Sequence, residues 1–246
     1  MAVKITVAEN YYELSNLAAH KVAQVIRSRP DTVLGLPTGS TPLGMYQELI
    51  SIHRDTKLSF KNVTTFNLDE YVGLEPDDVN SFHYFMNENF FRHIDIDKDC
   101  INIPDGNAPD VEMECAEYER KIADAGGIDL MILGLGNNGH IGFNEPNTHF
   151  PAITHKVKLD QSTIQANARF FHSIGQVPRF AVTMGIGSIM HCRSIMLLAN
   201  GKAKAPAVKA ALEGPIIPAL PASALQLHSD VTVILDKEAA GLLEFH

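Results

Sequence analysis

Cysteine is scarce in this 246-residue chain. There are three, Cys100, Cys115 and Cys192. An odd number without metal-type spacing supports neither a disulfide framework nor a structural zinc site, so reduced thiols and a cytoplasmic location are expected. No apolar run approaches the roughly 18 residues of a membrane span, so no membrane association is expected. The start, MAVKITVAEN, meets Glu9 before an apolar h-region forms and makes a poor signal peptide. Sustained charge blocks and low-complexity tracts are missing too, which argues against a disordered or fibrous chain. Positive charge is in deficit: 20 Lys and Arg face 29 Asp and Glu, a formal charge of −9. A nucleic-acid backbone is therefore an unsuitable partner, although a local cationic pocket remains compatible with a small anion.

Apolar residues are what the chain does have. They make up 45% of it, and a chain of this length buries about three quarters of its potential surface. One unit spanning 1–246 is expected. Short, nearly continuous apolar runs at Thr32–Leu36, Val63–Leu68, Asp129–Leu135, Arg179–Met184, Ser194–Ala199 and Val231–Leu235 read mostly as strands buried on both faces. Between them, Asn10–Ser28, Pro42–His53, Ser81–Phe91, Pro109–Ala125 and Lys204–Leu212 read as helices. In the first of these, Leu14, Leu17, Ala18, Val22, Val25 and Ile26 recur at helical spacing. Alternating strands and helices predict an α/β fold, a Rossmann-like three-layer sandwich with a largely parallel central sheet. The EGPIIPALP segment and Leu220–Leu227 read as a separate flap or edge.

In such folds ligands sit beyond the carboxyl ends of the strands, and three polar segments fall there. The first is LPTGSTPLG, with Thr38, Gly39, Ser40 and Thr41 ahead of a helix that has Pro42 near its first position. Free backbone N–H groups and three hydroxyls suit a phosphate, but also an ordinary cap and turn. It is not a Walker A loop, because the Lys-Ser/Thr ending is missing. Arg169 and Lys204 are the cations that would complete an anion site, or else solvated surface charges. The second segment, NLDEYVGL, sets Asp69 and Glu70 after a strand. Asp69 there is either a base for an acidic C–H proton or the cap of a turn. The third, GLGNNGHIGFNEP, presents Asn138, His140 and Glu145 among four glycines. His140 can move a proton near neutrality with Glu145 orienting it, or the loop is merely polar. No compact metal-ligand motif accompanies these residues.

In sequence order, GLPTGSTPLG, TFNLDEYVGL, LGLGNNGHIGFNEP, NARFF, AVTMGIGSI, AALEG and LQLH resemble the glucosamine-6-phosphate deaminase (glucosamine-6-phosphate isomerase) family, over roughly positions 35 to 228. The resemblance implies a Rossmann-like enzyme of amino-sugar catabolism. Glucosamine 6-phosphate and water would become fructose 6-phosphate and ammonia without a metal or other cofactor. It implies that His140, supported by Asn138 and Glu145, assists opening of the sugar ring. Asp69 would act as the base at C2, and Thr38, Gly39, Ser40, Thr41, Arg169 and Lys204 would hold the phosphate. Many family members have Asp where this chain has Asn138, which shifts more of the support of His140 onto Glu145. NTHFPAITHKVK lacks the basic pattern of the allosteric members, so a non-allosteric monomer or small homo-oligomer is expected. The alternatives are a 6-phosphogluconolactonase-like hydrolase and a non-catalytic phosphosugar-binding sensor.

Overall fold

Asn10 starts the first helix by accepting the Glu13 N–H through its side chain at 3.0 Å, which satisfies one of the unpaired donors of a helix start. From there Leu14, Ala18, Ala19, Val22, Ala23 and Ile26 form one buried stripe. The computed structural model describes residues 3–244. Within them the strands are β1 (Lys4–Ala8), β2 (Val33–Leu36), β3 (Thr64–Asn67), β4 (Asp69–Tyr71), β5 (Ile101–Asn102), β6 (Leu130–Gly134), β7 (His155–Lys158), β8 (Phe180–Thr183), β9 (Ser194–Ala199) and β10 (Val231–Asp236). The helices are α1 (Tyr11–Ser28), α2 (Ser40–Thr56), α3 (Phe82–Asn89), α4 (Val111–Asp124), α5 (Gln161–Asn167), α6 (Ile186–Met190) and α7 (Ala205–Glu213).

Seven strands make an all-parallel sheet in the order β1-β10-β9-β6-β2-β3-β5. Its central strands are apolar almost without interruption because alternate residues enter different cores. Leu34, Leu130, Ile132, Met196 and Leu198 pack with Leu14, Val22, Met45, Leu49 and Phe90 from α1, α2 and the end of α3. Val33, Met131, Leu133 and Leu197 pack with Tyr118 of α4, Ile189 of α6 and Val208 and Ala211 of α7. Each fully buried Leu or Ile stabilises the fold by roughly 1.5–3 kcal/mol, so both helical layers are held by the same short strands. The three-layer α/β sandwich expected from the sequence is the fold observed.

The run at Arg179–Met184 does not join this sheet. It becomes β8, the middle strand of a small sheet in the order β4-β8-β7, antiparallel on both sides. Phe180 is exposed while Ala181–Thr183 are buried, and Met184 N–H donates to the Leu68 carbonyl at 2.8 Å. The run therefore seals the end of β3 rather than extending the central sheet.

Chain order creates a crevice. From β2 the chain moves to β3 and β5 on one side, then returns to β6 and proceeds through β9 to β10 on the other. The direction reverses between β2 and β6, and ligands of doubly wound sheets bind outside the strand ends at such a switch point.

Candidate active site

The register pairs Leu36 with Asn67 and Gly134 with Leu198. The segments after β2, β3, β6 and β9 therefore leave the same edge of the sheet. These segments carry most of the residues singled out in the sequence.

After β2, Gly39 is the N-cap of α2 and offers no side chain to its first turn. The helix begins at Ser40, so Pro42 is its third residue rather than its first. Within the first turn a missing N–H costs no helical hydrogen bond, so proline is tolerated there. Thr38, Gly39 and Thr41 are half-buried and Ser40 is exposed. The Tyr11 hydroxyl of α1 braces this turn: it lies 3.0 and 3.1 Å from the Ser40 and Thr41 carbonyls and accepts the Gly44 N–H at 2.8 Å. Thr41 Oγ1 donates to Asn200 Oδ1 at 2.9 Å, joining this turn to the segment that leads to Lys204. That segment is fixed in turn by Asp236, whose two oxygens accept the Gly201 N–H at 3.0 and 2.9 Å.

Lys204 is half-buried. Burial, with the Arg169 charge close enough to add to it, holds its ammonium below the usual lysine range. Arg169 stands on the 3₁₀ turn Ala168–Phe170 after α5, its guanidinium 4.7 Å from the centre of the Phe170 ring. Among the described residues neither cation has a carboxylate within salt-bridge distance. Two neighbouring cations without an acidic partner suit an anion that the ligand itself brings.

Asp69 is 7% exposed, and its carboxyl makes no hydrogen bond to another described residue. It is a strand residue paired with Thr183 of β8, not the cap of a turn. Burial first, then the neighbouring Glu70 charge, push its pKa up to about 8. A carboxyl tuned in this way accepts protons far more strongly than an exposed one. The loop after β6 passes directly over it. A Cβ placed on Gly142 would lie 2.9 Å from Thr183 Oγ1 and 3.5 Å from Asp69 Oδ2.

The rest of that loop holds His140. A Cβ on Gly136 would come within 2.4 Å of the imidazole ring, so glycine there is a requirement of space. Asn138 ties the His140 backbone to the Glu145 carboxylate: its Oδ1 accepts the His140 backbone N–H at 3.1 Å, and its Nδ2 donates to Glu145 Oε2 at 2.8 Å. His140 Nδ1 lies 3.4 Å from the same Glu145 oxygen. With Nδ1 facing the carboxylate, Nε2 is the nitrogen left for a ligand. Burial alone would raise the Glu145 pKa, but His140 and Asn138 outweigh it and hold the carboxyl below its usual range.

The structure thus gathers Asp69 with the His140 loop, Asn138 with His140 and Glu145, and Lys204 with Arg169. Tyr11, Thr183, Asn200 and Asp236 escaped the sequence reading, and Glu70 was noted beside Asp69 without a role of its own. Only Asn200 carried a readable sign, because it follows the apolar run Ser194–Ala199 directly. A groove of about 1040 Å³ takes in Asn144 and Glu145 but runs along β7 and residues 146–153, away from Asp69 and His140. Among the described residues no group of three or more His, Cys, Asp or Glu is placed to hold a metal ion.

A doubly wound parallel sheet, with an uncapped helix start on one side of the switch point and a carboxyl–imidazole set on the other, defines a Rossmann-like α/β fold with its candidate site at the strand ends. The family model for glucosamine-6-phosphate isomerases/6-phosphogluconolactonase matches residues 6–234, and the chain belongs to that family. A protein of Clostridium botulinum named glucosamine-6-phosphate deaminase is 54% identical over 98% of this chain and 99% of its own length. One of the same name from Bacillus velezensis is 54% identical over 97% and 99%. A solved structure described as a monomeric glucosamine-6-phosphate deaminase has a TM-score of 0.96 at 53% identity, covering 98% of this chain and all of that one. A 6-phosphogluconolactonase from Trypanosoma cruzi, 23% identical with a TM-score of 0.79 over 99% and 98%, shares the fold.

Proposed function

We propose that the chain is a glucosamine-6-phosphate deaminase, converting glucosamine 6-phosphate and water to fructose 6-phosphate and ammonia. The observation that carries the reading is Asp69, a buried carboxyl with a raised pKa and no hydrogen bond to another described residue, beneath the loop that presents His140. Ester hydrolysis by a lactonase does not by itself require such a base. Relatives at 54% identity over nearly the full length carry the deaminase name, whereas the lactonase likeness extends to the fold alone.

In this reading the sugar phosphate lies against the first turn of α2, with Thr38, Gly39, Ser40 and Thr41 as donors and Lys204 and Arg169 as counter-charges. His140 Nε2 moves the proton that opens the ring, and Glu145 and Asn138 hold the imidazole for that task. Asp69 then takes the C2 proton, and a double bond forms between C1 and C2 as the C1 oxygen is protonated. Return of a proton to C1 gives a 2-imino ketose. Water adds to its C2 and ammonia leaves, so the atoms of water and substrate are all accounted for in fructose 6-phosphate and ammonia. A positioned base contributes about 10²–10⁴-fold, and a held phosphate keeps the flexible open-chain sugar aligned for it. The chemistry is internal proton transfer followed by hydrolysis, and the proposed steps use side chains of this chain alone. Three free thiols, and no helix among the described residues long and apolar enough to cross a membrane, support work in the cytoplasm.

The test is simultaneous measurement of ammonium and fructose 6-phosphate released from glucosamine 6-phosphate by metal-stripped protein. Equal appearance of both supports the deaminase. Substrate binding without either product would favour the sensor reading.

A further inference from the structure

Glu70 stands next to Asp69 in the sequence, yet its side chain serves another element. It is 1% exposed. Its carboxylate accepts the Phe82 N–H at 3.0 and 2.9 Å, the His83 N–H at 3.0 Å, the His83 ring Nδ1–H at 2.9 Å and the Tyr71 N–H at 2.8 Å. Phe82 and His83 open α3, and Ser81 Oγ accepts the next free donor, Tyr84 N–H, at 3.0 Å. The whole first turn of α3 is thus satisfied from β4 and its own cap. A carboxylate surrounded by N–H donors at a helix start carries its negative charge in a favourable potential. That charge is fixed one residue from Asp69, which alternation along the strand directs to the opposite face.

We propose that Glu70 is a positioning residue for the proton transfer: clamped to the start of α3, it holds the three-residue strand that carries Asp69 and sets the basicity of the Asp69 carboxyl. This rests on the assignment of Asp69 as the base. β4 is too short to be held by pairing alone. β8 fixes one edge, and the Glu70 clamp supplies a second anchor through α3. The charge of Glu70 also makes a proton on Asp69 more favourable, in the direction burial already takes it.

Other charged or titratable groups around the pair are His83 on α3, Tyr71 on β4 itself, Tyr118 on α4, and His140 and Glu145 in the loop above. Tyr71 and Tyr118 both feel the Asp69 charge. β8 brings none between Phe180 and Thr183. Beyond it β7 sets His155 opposite Thr183, with Lys156 and Lys158 further along.

The experiment follows the Asp69 carboxyl carbon by ¹³C NMR in Asp-labelled protein, its signal assigned by its loss in Asp69→Asn, alongside the pH profile of kcat/KM. In Glu70→Gln the Asp69 midpoint is expected to fall by about one pH unit or more, and the acid limb of the profile should fall with it. Glu70→Asp, which keeps the charge, should leave the midpoint near that of the native protein. His83→Phe removes one donor from Glu70, leaves more of its charge uncompensated, and should move the midpoint up. An unmoved midpoint in Glu70→Gln with lower turnover would make the residue a purely mechanical strut and overturn the proposal. Should Glu70→Gln not fold, His83→Phe decides, and a midpoint that stays or falls overturns it. Native protein that makes no ammonium would instead sink the deaminase reading, while the Asp69 titration would still report on Glu70.

Discussion

Asp69 binds a proton more tightly in the fold than in the unfolded chain, and this links activity to stability. Below its ordinary value of 3.8 both states hold the proton. Between that value and about 8 the unfolded chain has released a proton that the folded one keeps, so stability falls as pH rises. Asp69→Asn should therefore lower turnover by at least about 10²-fold and raise the melting temperature. That gain should be negligible near pH 4, widen up to about pH 8 and then stay level, reaching a few kcal/mol. Calorimetry of both proteins across that range checks the sign; a gain that shrinks with rising pH would remove the buried-base assignment. At the other end of the site, Lys204→Ala should raise KM roughly ten- to hundredfold, as expected for one lost charged hydrogen bond, with a smaller effect on kcat. Because burial and Arg169 make Lys204 lose its proton early, native KM should climb at alkaline pH, and the Ala variant should lack that rise. Steady-state kinetics at several pH values would show both.

At the scale of elements, the start of α2 depends on α1. A Cβ on Gly44 would lie 2.2 Å from Ser15 Oγ and 3.1 Å from the Tyr11 hydroxyl, so Gly44→Ala must push the helices apart. It should cost about 1–3 kcal/mol of stability and raise KM by loosening the turn at Ser40 and Thr41. Denaturant titration and substrate saturation measure the two effects, and unchanged KM would detach Tyr11 from the binding turn. This coupling was not legible in the sequence, because Tyr11 and Gly44 meet only through tertiary packing. Five of the seven strands of the central sheet were legible, since doubly covered strands leave near-continuous apolar runs, whereas the edge strands β1 and β5 were not. β4 was hidden: it follows β3 after the single residue Leu68 and consists of Asp-Glu-Tyr, which no periodicity marks. β7, His-Lys-Val-Lys, alternates between half-buried and exposed positions and leaves no apolar run to mark it. The Asp69, His140 and Glu145 segments were legible as strand-end motifs, but the pairing of Asp69 with Thr183 required β8 to leave the parallel sheet.

For the whole molecule, the switch point explains why candidate residues from 38 to 204 lie on segments that leave the same end of the sheet. Each crossover returns the chain to the same edge of the sheet, so distance along the sequence does not separate the groups. Every polar residue assigned to the proposed chemistry comes from this one chain, and the structural relative at 53% identity is described as monomeric. Light scattering should accordingly give a mass near 27.0 kDa, with specific activity independent of protein concentration; a larger mass together with activity lost on dilution would require a site shared between copies. One pairing at the sheet's end has a consequence for biosynthesis. β1 lies beside β10, Lys4 opposite Thr232 and Ala8 opposite Asp236. About 220 residues separate β1 from β10, so a ribosome adding about 5–20 residues per second makes β10 roughly 10–45 s after β1. Throughout that interval β1 is without its neighbour, with Ile5 and Val7, already 39% exposed in the finished fold, uncovered to whatever the nascent chain meets.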